Sequence, residues 1–202
     1  NETGLQPGYT VTISVVAIGT GACGNSASAS ANCVASDCAA VDLQINCFAK
    51  TNYCTGEAII TLSATEPTAT FTVNGVSAVN FNPASLGAGS HTIVATYTNG
   101  PCSYTDTEII TIAATPVADI NLSVTSICVN ESIEAFSTGS NGPTASFNWQ
   151  FDAGANPLNA NTVGPHTVTY NTAGNKNITL VVTENGCVSN TASETLTVID
   201  QL

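Results

Sequence analysis

The residues able to do chemistry are few, and eight of them are cysteines, at positions 23, 33, 38, 47, 54, 102, 128 and 187. Cysteine sulfur at fixed spacing either closes disulfides or holds zinc. Structural zinc sites bring tight Cys-x2-Cys pairs. Cys33-x4-Cys38 and Cys47-x6-Cys54 lack that spacing, and neither His91 nor His166 lies near them, so disulfides are expected. An even count in a chain so poor in charge fits an oxidising, extracellular setting. Oxidised sulfur is no nucleophile. His91 and His166 open predicted strands in Ser-His-Thr and Pro-His-Thr contexts, without a Gly-x-Ser-x-Gly elbow, a His-Glu-x-x-His helix or a P-loop anywhere. There is no arginine to clamp a carboxylate or phosphate. The expectation is that this is not an enzyme.

The remaining ligand chemistry is carboxylate oxygen, which suits calcium. Asp37 and Asp42 flank one predicted junction and Asp119 another, with Asp106, Glu108 and Glu131 adding carboxylates. No Asp-x-Asp-x-Asp-Gly loop gathers them, and acids on solvated strand faces are the ordinary case. No cofactor or metal is expected; Asp37, Asp42 and Asp119 are the calcium candidates to inspect. Trp149 has the type to stack on a sugar, but a core position on a central strand is the expected role, with Phe151 beside it.

Two lysines face fourteen acids, for a net charge of −12. A nucleic-acid backbone is bound by neutralising it, so nucleic acid is excluded as a natural partner, and so is docking on anionic lipid. No apolar run approaches the roughly 18 residues of a membrane helix, so direct membrane insertion is not expected. Only 8% of residues are charged, against about 25% in an average domain. Solubility therefore rests on Thr, Ser, Asn and Gly. With no methionine at all, the sequence reads as a processed chain or an internal piece of a longer one.

The elements that must position these residues emerge from an internal repeat. Cys54-Thr-Gly-Glu57-Ala-Ile59 parallels Cys128-Val-Asn-Glu131-Ser-Ile133, and Gly89 precedes Cys102 by 13 residues as Gly174 precedes Cys187. Each repeat thus has an early and a late cysteine, which predicts Cys54–Cys102 and Cys128–Cys187 bonds. The pairing of Cys23, Cys33, Cys38 and Cys47 stays open. Apolar alternation is two-residue throughout, in 10–17, 58–62, 69–73, 91–97, 107–112, 177–183 and 194–199, with a further strand expected at 41–46. Asn-Gly and Pro clusters separate these runs. The chain reads as all-β, with sandwiches over 36–115 and 116–202 and only two strands in 1–35.

From Phe147-Asn-Trp149-Gln-Phe151, through Gly164-Pro165-His166-Thr-Val-Thr-Tyr170, to Gly174-x-Lys176-x-Ile178-x-Leu180-x-Val182, the sequence resembles a PKD domain. Asp152 stands where that family usually has Gly. Residues 41–114, with Phe81-x-Pro83 and Gly87-Ala-Gly89-Ser-His91, resemble an immunoglobulin-like repeat, and Leu5-Gln-Pro7-Gly8 with the following strand resembles the late half of a fibronectin type III domain. The arrangement is similar to giant cell-surface proteins of Bacteroidota, of the gliding-motility adhesin type. That resemblance implies export to the cell surface and a role as a stalk or adhesive segment. The expected partners are neighbouring repeats of the same chain or identical subunits in a filament, and cell-surface or extracellular polysaccharide. The alternative is a carbohydrate- or protein-binding accessory module of a secreted hydrolase.

Overall fold

A computed structural model describes residues 10–16, 18, 29–34, 38 and 40–200. Thr10–Val15 (β1) and Ala29–Val34 (β2) pair antiparallel, Thr10 opposite Val34 and Val15 opposite Ala29. Short strands follow: Asn52–Cys54 (β3), Ile60–Thr61 (β4), Thr70–Val73 (β5), Val76–Ser77 (β6) and Asn80–Phe81 (β7). One helical turn, Pro83–Leu86 (α1), leads into the long strands Gly89–Asn99 (β8) and Cys102–Ala113 (β9). Next come Ile120–Leu122 (β10), Ser126–Cys128 (β11), Ser132–Ser137 (β12), Ser146–Gln150 (β13), Ala155–Asn156 (β14) and Asn159–Ala160 (β15). His166–Tyr170 (β16), Gly174–Glu184 (β17), Cys187–Val188 (β18) and Ala192–Ile199 (β19) complete the set. The protein is all-β, a tandem of immunoglobulin-like sandwiches.

Of the described residues, those up to 47 with 62–79 and 93–108 make one compact unit, and 48–61, 80–92 and 109–200 the other. In the first, β5 pairs antiparallel with residues 93–96 of β8, Val73 opposite Ile93 and Thr70 opposite Thr96. Alternation buries Leu43, Ile45, Leu62, Val73, Ile93 and Ala95. Asn74 and Gly75 both take positive φ, 51° and 79°, to turn β5 into β6. That conformation matches strand twist and favours Asn-Gly. The strand expected at 41–46 is reduced to one bridge, Ile45 to Ala64. Side chains intercept the ladder there: Ile45 N–H donates to Asp106 Oδ2 at 2.7 Å and Gln44 N–H to Thr65 Oγ1 at 3.0 Å.

In the second unit, β3 runs parallel to the end of β9, Asn52 opposite Thr111 and Cys54 opposite Ala113. Phe81 is fully buried, with the rings of Phe48, Tyr53 and His91 edge-on to it at 5.3, 6.1 and 6.3 Å. Edge-to-face packing suits the ring quadrupoles. Residues 116–200 form two sheets, ordered β10-β12-β16-β14 and β11-β19-β17-β13-β15, with β18 paired to β17. Between them lie Ile133, Ala135, Trp149, Phe151, Val168, Tyr170, Ile178, Leu180, Val182 and Leu196, contributed by alternate positions of facing strands.

The polar atoms of Trp149 and Tyr170 inside this core are satisfied. Trp149 Nε1–H donates to the Thr162 carbonyl at 2.9 Å, and the ring stacks on Phe151 at 5.7 Å. Tyr170 Oη–H donates to the Phe151 carbonyl at 2.6 Å. Burial, with the Asp152 charge second, pushes the Tyr170 phenol up to about 12. Tyr170→Phe orphans the Phe151 carbonyl and is expected to lower the unfolding free energy by about 1–2 kcal/mol. Urea denaturation followed by Trp149 fluorescence measures this; an unchanged midpoint would show that the bond contributes nothing.

Candidate functional site

The chemistry-bearing residues gather at strand ends, and the cysteines define where. Cys54 ends β3. Its N–H donates to Glu57 Oε1 at 2.9 Å, and Glu57 N–H returns to the Cys54 carbonyl at 3.0 Å. Lys50 Nζ reaches the same Glu57 oxygen at 2.8 Å. That ammonium, aided by the Cys54 N–H and opposed by slight desolvation, holds Glu57 below the usual carboxylate range. Thr115 closes the other side: its hydroxyl accepts from Gly56 N–H at 2.9 Å, and its own N–H donates to Thr55 Oγ1 at 2.9 Å.

The sulfur of Cys54 is bonded to Cys187, with Cα atoms 5.7 Å apart, and Cys38 is bonded to Cys102 at the same Cα separation. This corrects the expected pairs Cys54–Cys102 and Cys128–Cys187. The reason is strand register. Cys187 pairs with Glu184 at the end of β17, whereas Cys128 pairs with Ile199, next to the Val198 that faces Gly174 at the start of β17. Eleven residues of β17 separate the two ends, roughly 35 Å of extended chain, against the 7 Å or so that a bridge spans. The same geometry governs β9: Cys102 opens it, and Ala113, the register partner of Cys54, closes it. Among the described residues Cys47 and Cys128 carry free thiols. Cys23 and the side chain of Cys33 lie outside the described residues, as does Asp37.

Beside the Cys54–Cys187 bond is a cleft of about 470 Å³, lined by Asn52, Tyr53, Ala88, Thr111, Ile112, Ala113, Ala114 and Asn185. Asn185 and Gly186, at φ 50° and 80°, form the tight turn that presents Cys187. The Cys187 sulfur also lies 3.9 Å from the Ala113 carbonyl.

The other candidates are dispersed. Asp42 Oδ1 accepts from Gln44 Nε2 at 3.0 Å, and Asp119 Oδ2 from Thr138 Oγ1 at 2.6 Å. Among the described residues no three of His, Cys, Asp and Glu converge as a metal site. His91 Nε2 lies 3.0 Å from the Gly87 carbonyl and His166 Nε2 3.0 Å from the Thr162 carbonyl. Each ring thereby fastens the loop four residues upstream. Trp149 and Phe151 are fully buried, which leaves neither face of Trp149 for a sugar.

Sequence reasoning missed the part played by Asp152. It sits at φ 70° and accepts from the N–H groups of Asn177 at 2.7 Å and Ala153 at 2.6 Å. These two bonds, Asn177's first, hold its carboxyl below the usual carboxylate range against a little desolvation. The side chain thus ties down a conformation for which glycine is the default residue. Nearby Lys176 is buried, 7% exposed, with Nζ on the Ala153 carbonyl at 3.1 Å and Thr172 Oγ1 at 2.9 Å. The pairing of an acid with a left-handed position was the available signal, because Asp tolerates that region better than most residues.

Residues 113–198 match the PKD domain family. No curated protein matches the chain in sequence. Among solved structures it is similar to the fibronectin(III)-like modules of Clostridium thermocellum CbhA, 14% identical over 78% of this chain and 94% of that one, TM-score 0.37. Extracellular domains 3–5 of Drosophila OTK are 12% identical over 89% of this chain and 66% of theirs, TM-score 0.43. The N-terminal Ig1-2 module of the Drosophila receptor protein tyrosine phosphatase DLAR is 11% identical over 79% and 99%, TM-score 0.28. The family match is confined to residues 113–198, and the fold of the chain is that of tandem immunoglobulin-like β-sandwiches.

Two outcomes follow. Pepsin mapping without reduction should recover Cys38–Cys102 and Cys54–Cys187 peptides, and reduction should cost about 2–5 kcal/mol of stability; recovery of a Cys54–Cys102 peptide would refute the register argument. Asp152, with its folded pKa depressed, contributes stability above the ordinary Asp range near 3.9 that is lost as pH falls through it. Wild-type melting temperature should therefore fall more steeply between about pH 5 and 3 than that of Asp152→Asn. Parallel curves would remove the carboxylate from this role.

Proposed function

We propose that the chain is a structural segment of a long extracellular adhesin or surface filament, built from tandem β-sandwiches and acting as stalk and adhesive surface. The observation that carries the reading is the Cys54–Cys187 bond, which ties the early cysteine of the first repeat to the late cysteine of the second. A cross-link between successive repeats resists separation under load, the demand placed on a stalk. Disulfides and PKD-type modules are both at home outside the cell. The acidic surface, with Lys176 buried and Lys50 engaged by Glu57, resists self-association.

In this reading residues 1–35 belong to a fibronectin III-like unit, 36–115 to an immunoglobulin-like sandwich and 116–202 to a PKD-like one. Ile13 and Val15 on β1 are 55% and 65% exposed, an apolar face that further strands of the same tandem chain would cover. Identical subunits supplying those strands would instead give a filament by strand addition. In the same proposal the parent is a gliding-type surface protein of Bacteroidota, a reading that rests on the sequence resemblance, and it contacts surface polysaccharide. Antibody raised against the 202-residue chain should label intact source cells along extended surface structures, and protease treatment of whole cells should remove that label. Antigen found only inside cells would overturn the reading; antigen co-purifying with a secreted hydrolase would favour an accessory binding module.

A further inference from the structure

Cys128 repeats the strand pairing and the glutamate contact of Cys54. The strand ending in Cys54 lies parallel to 111–113, and the strand ending in Cys128 lies parallel to 197–199. Thr51 O accepts from Thr111 N–H at 2.8 Å as Thr125 O accepts from Thr197 N–H at 3.0 Å. Past the cysteines, Thr55 N–H donates to the Ala113 carbonyl and Val129 N–H to the Ile199 carbonyl, both at 2.9 Å. Glu131 holds the Cys128 N–H at 2.8 Å just as Glu57 holds that of Cys54. The two cysteines hold the same position on their strands. One is bonded to Cys187 and the other is a free thiol.

A second observation marks Cys128. Ala113, beside Cys54, is partly covered and lies 3.9 Å from the Cys187 sulfur. Its register counterpart beside Cys128 is Ile199, a large apolar residue 53% exposed. Asn185 borders the cleft whose lining includes Asn52, Ala88 and Thr111; the aligned positions here are Ser126, Ala173 and Thr197. The residue types beside the Asn-Gly turn at Cys54 thus recur beside Cys128.

We infer that Cys128 is the docking point for the late-turn cysteine of a further sandwich of this kind, joined to it by a disulfide as Cys54 is to Cys187. The donor is a repeat whose cysteine follows an Asn-Gly turn and is unpaired. This chain's own late cysteines do not qualify, since Cys102 is bonded to Cys38 and Cys187 to Cys54. Bond formation removes one proton from each thiol and passes two electrons to a disulfide oxidant such as oxidised glutathione, which leaves as two thiols. The inference relies on the tandem-array reading only for the source of the donor.

The test offers a donor turn to the intact chain. A Cys54→Ser/Cys128→Ser chain, with Cys187 released, is mixed with wild-type chain in a glutathione redox buffer. The expected product is a mixed disulfide of Cys128 with the donor's Cys187, identified by pepsin mapping, with yield reduced at least tenfold by Cys128→Ser in the acceptor and unchanged by Cys47→Ser. Linkage through Cys47, a symmetric Cys128–Cys128 dimer, a Cys128 bond to Cys23 or Cys33, or a persistently free Cys128 would each overturn the inference. Should the donor variant fail to fold, the wild-type chain lengthened after Asp200 by a second copy of residues 116–200 provides the same turn with native cysteines. Cys128 must then bond the appended copy of Cys187, and a free thiol at Cys128 rejects the proposal. Peptide mapping reads this bond whatever cell labelling shows, so failure of the adhesin reading and failure of this inference are separately visible.

Discussion

The parallel pairing of a short early strand of each repeat with its last long one governs the arrangement. β3 lies along the end of β9 and β11 along the end of β19, in identical register. Three residues of pairing cover an otherwise open sheet edge. They also fix the early cysteine at one end of the sandwich, while the antiparallel turn fixes the late cysteine at the other. The early and late cysteines of one repeat therefore cannot bond each other. Cys54 bonds Cys187, the late cysteine of the following repeat, while Cys102 bonds Cys38, which precedes it within 36–115.

A chain this short of charge holds its loops by other means. Among the described residues the ion pair is Lys50 with Glu57; elsewhere Asn, Thr and Ser share the load with carboxylates that accept from backbone amides. Asn141 accepts from Val117 N–H at 3.0 Å and donates to the Val117 carbonyl at 2.9 Å, reproducing a strand pair with one side chain. Asn82 caps α1 by accepting from Ala84 N–H, and Ser63 Oγ donates to Asn46 Oδ1 at 2.7 Å. Such short bonds lose little side-chain entropy and are insensitive to salt, unlike surface ion pairs.

Much of the fold was legible in residue order. Two-residue alternation marked β8, β17 and β19, and Asn74-Gly75 and Asn185-Gly186 turn as that dipeptide should. The Trp-x-Phe pair at 149 and 151 lies in the core, where its hydrophobic payload requires it. What could not be read was which ends of the strands meet. The repeat shows that Cys54 and Cys128 are alike, and Cys102 and Cys187 are alike, but spacing along a chain carries no sign for parallel against antiparallel pairing. The expected strand at 41–46 failed for a local reason: Asp106 and Thr65 take backbone donors that a ladder would have used. Asp152 was legible only as a departure, and its meaning needed the φ angle and the two amides that it holds.

The fate of the two lysines has a consequence for survival outside a cell. Proteases of the trypsin type cut after Lys or Arg, and the chain offers them only Lys50-Thr51 and Lys176-Asn177. The second bond lies within β17, its lysine buried and its Asn177 amide held by Asp152. In the folded state that leaves one cleavable bond, at half-exposed Lys50, a residue itself engaged by Glu57. A segment exposed to digestive surroundings is thereby nearly invisible to one of the commonest classes of extracellular protease.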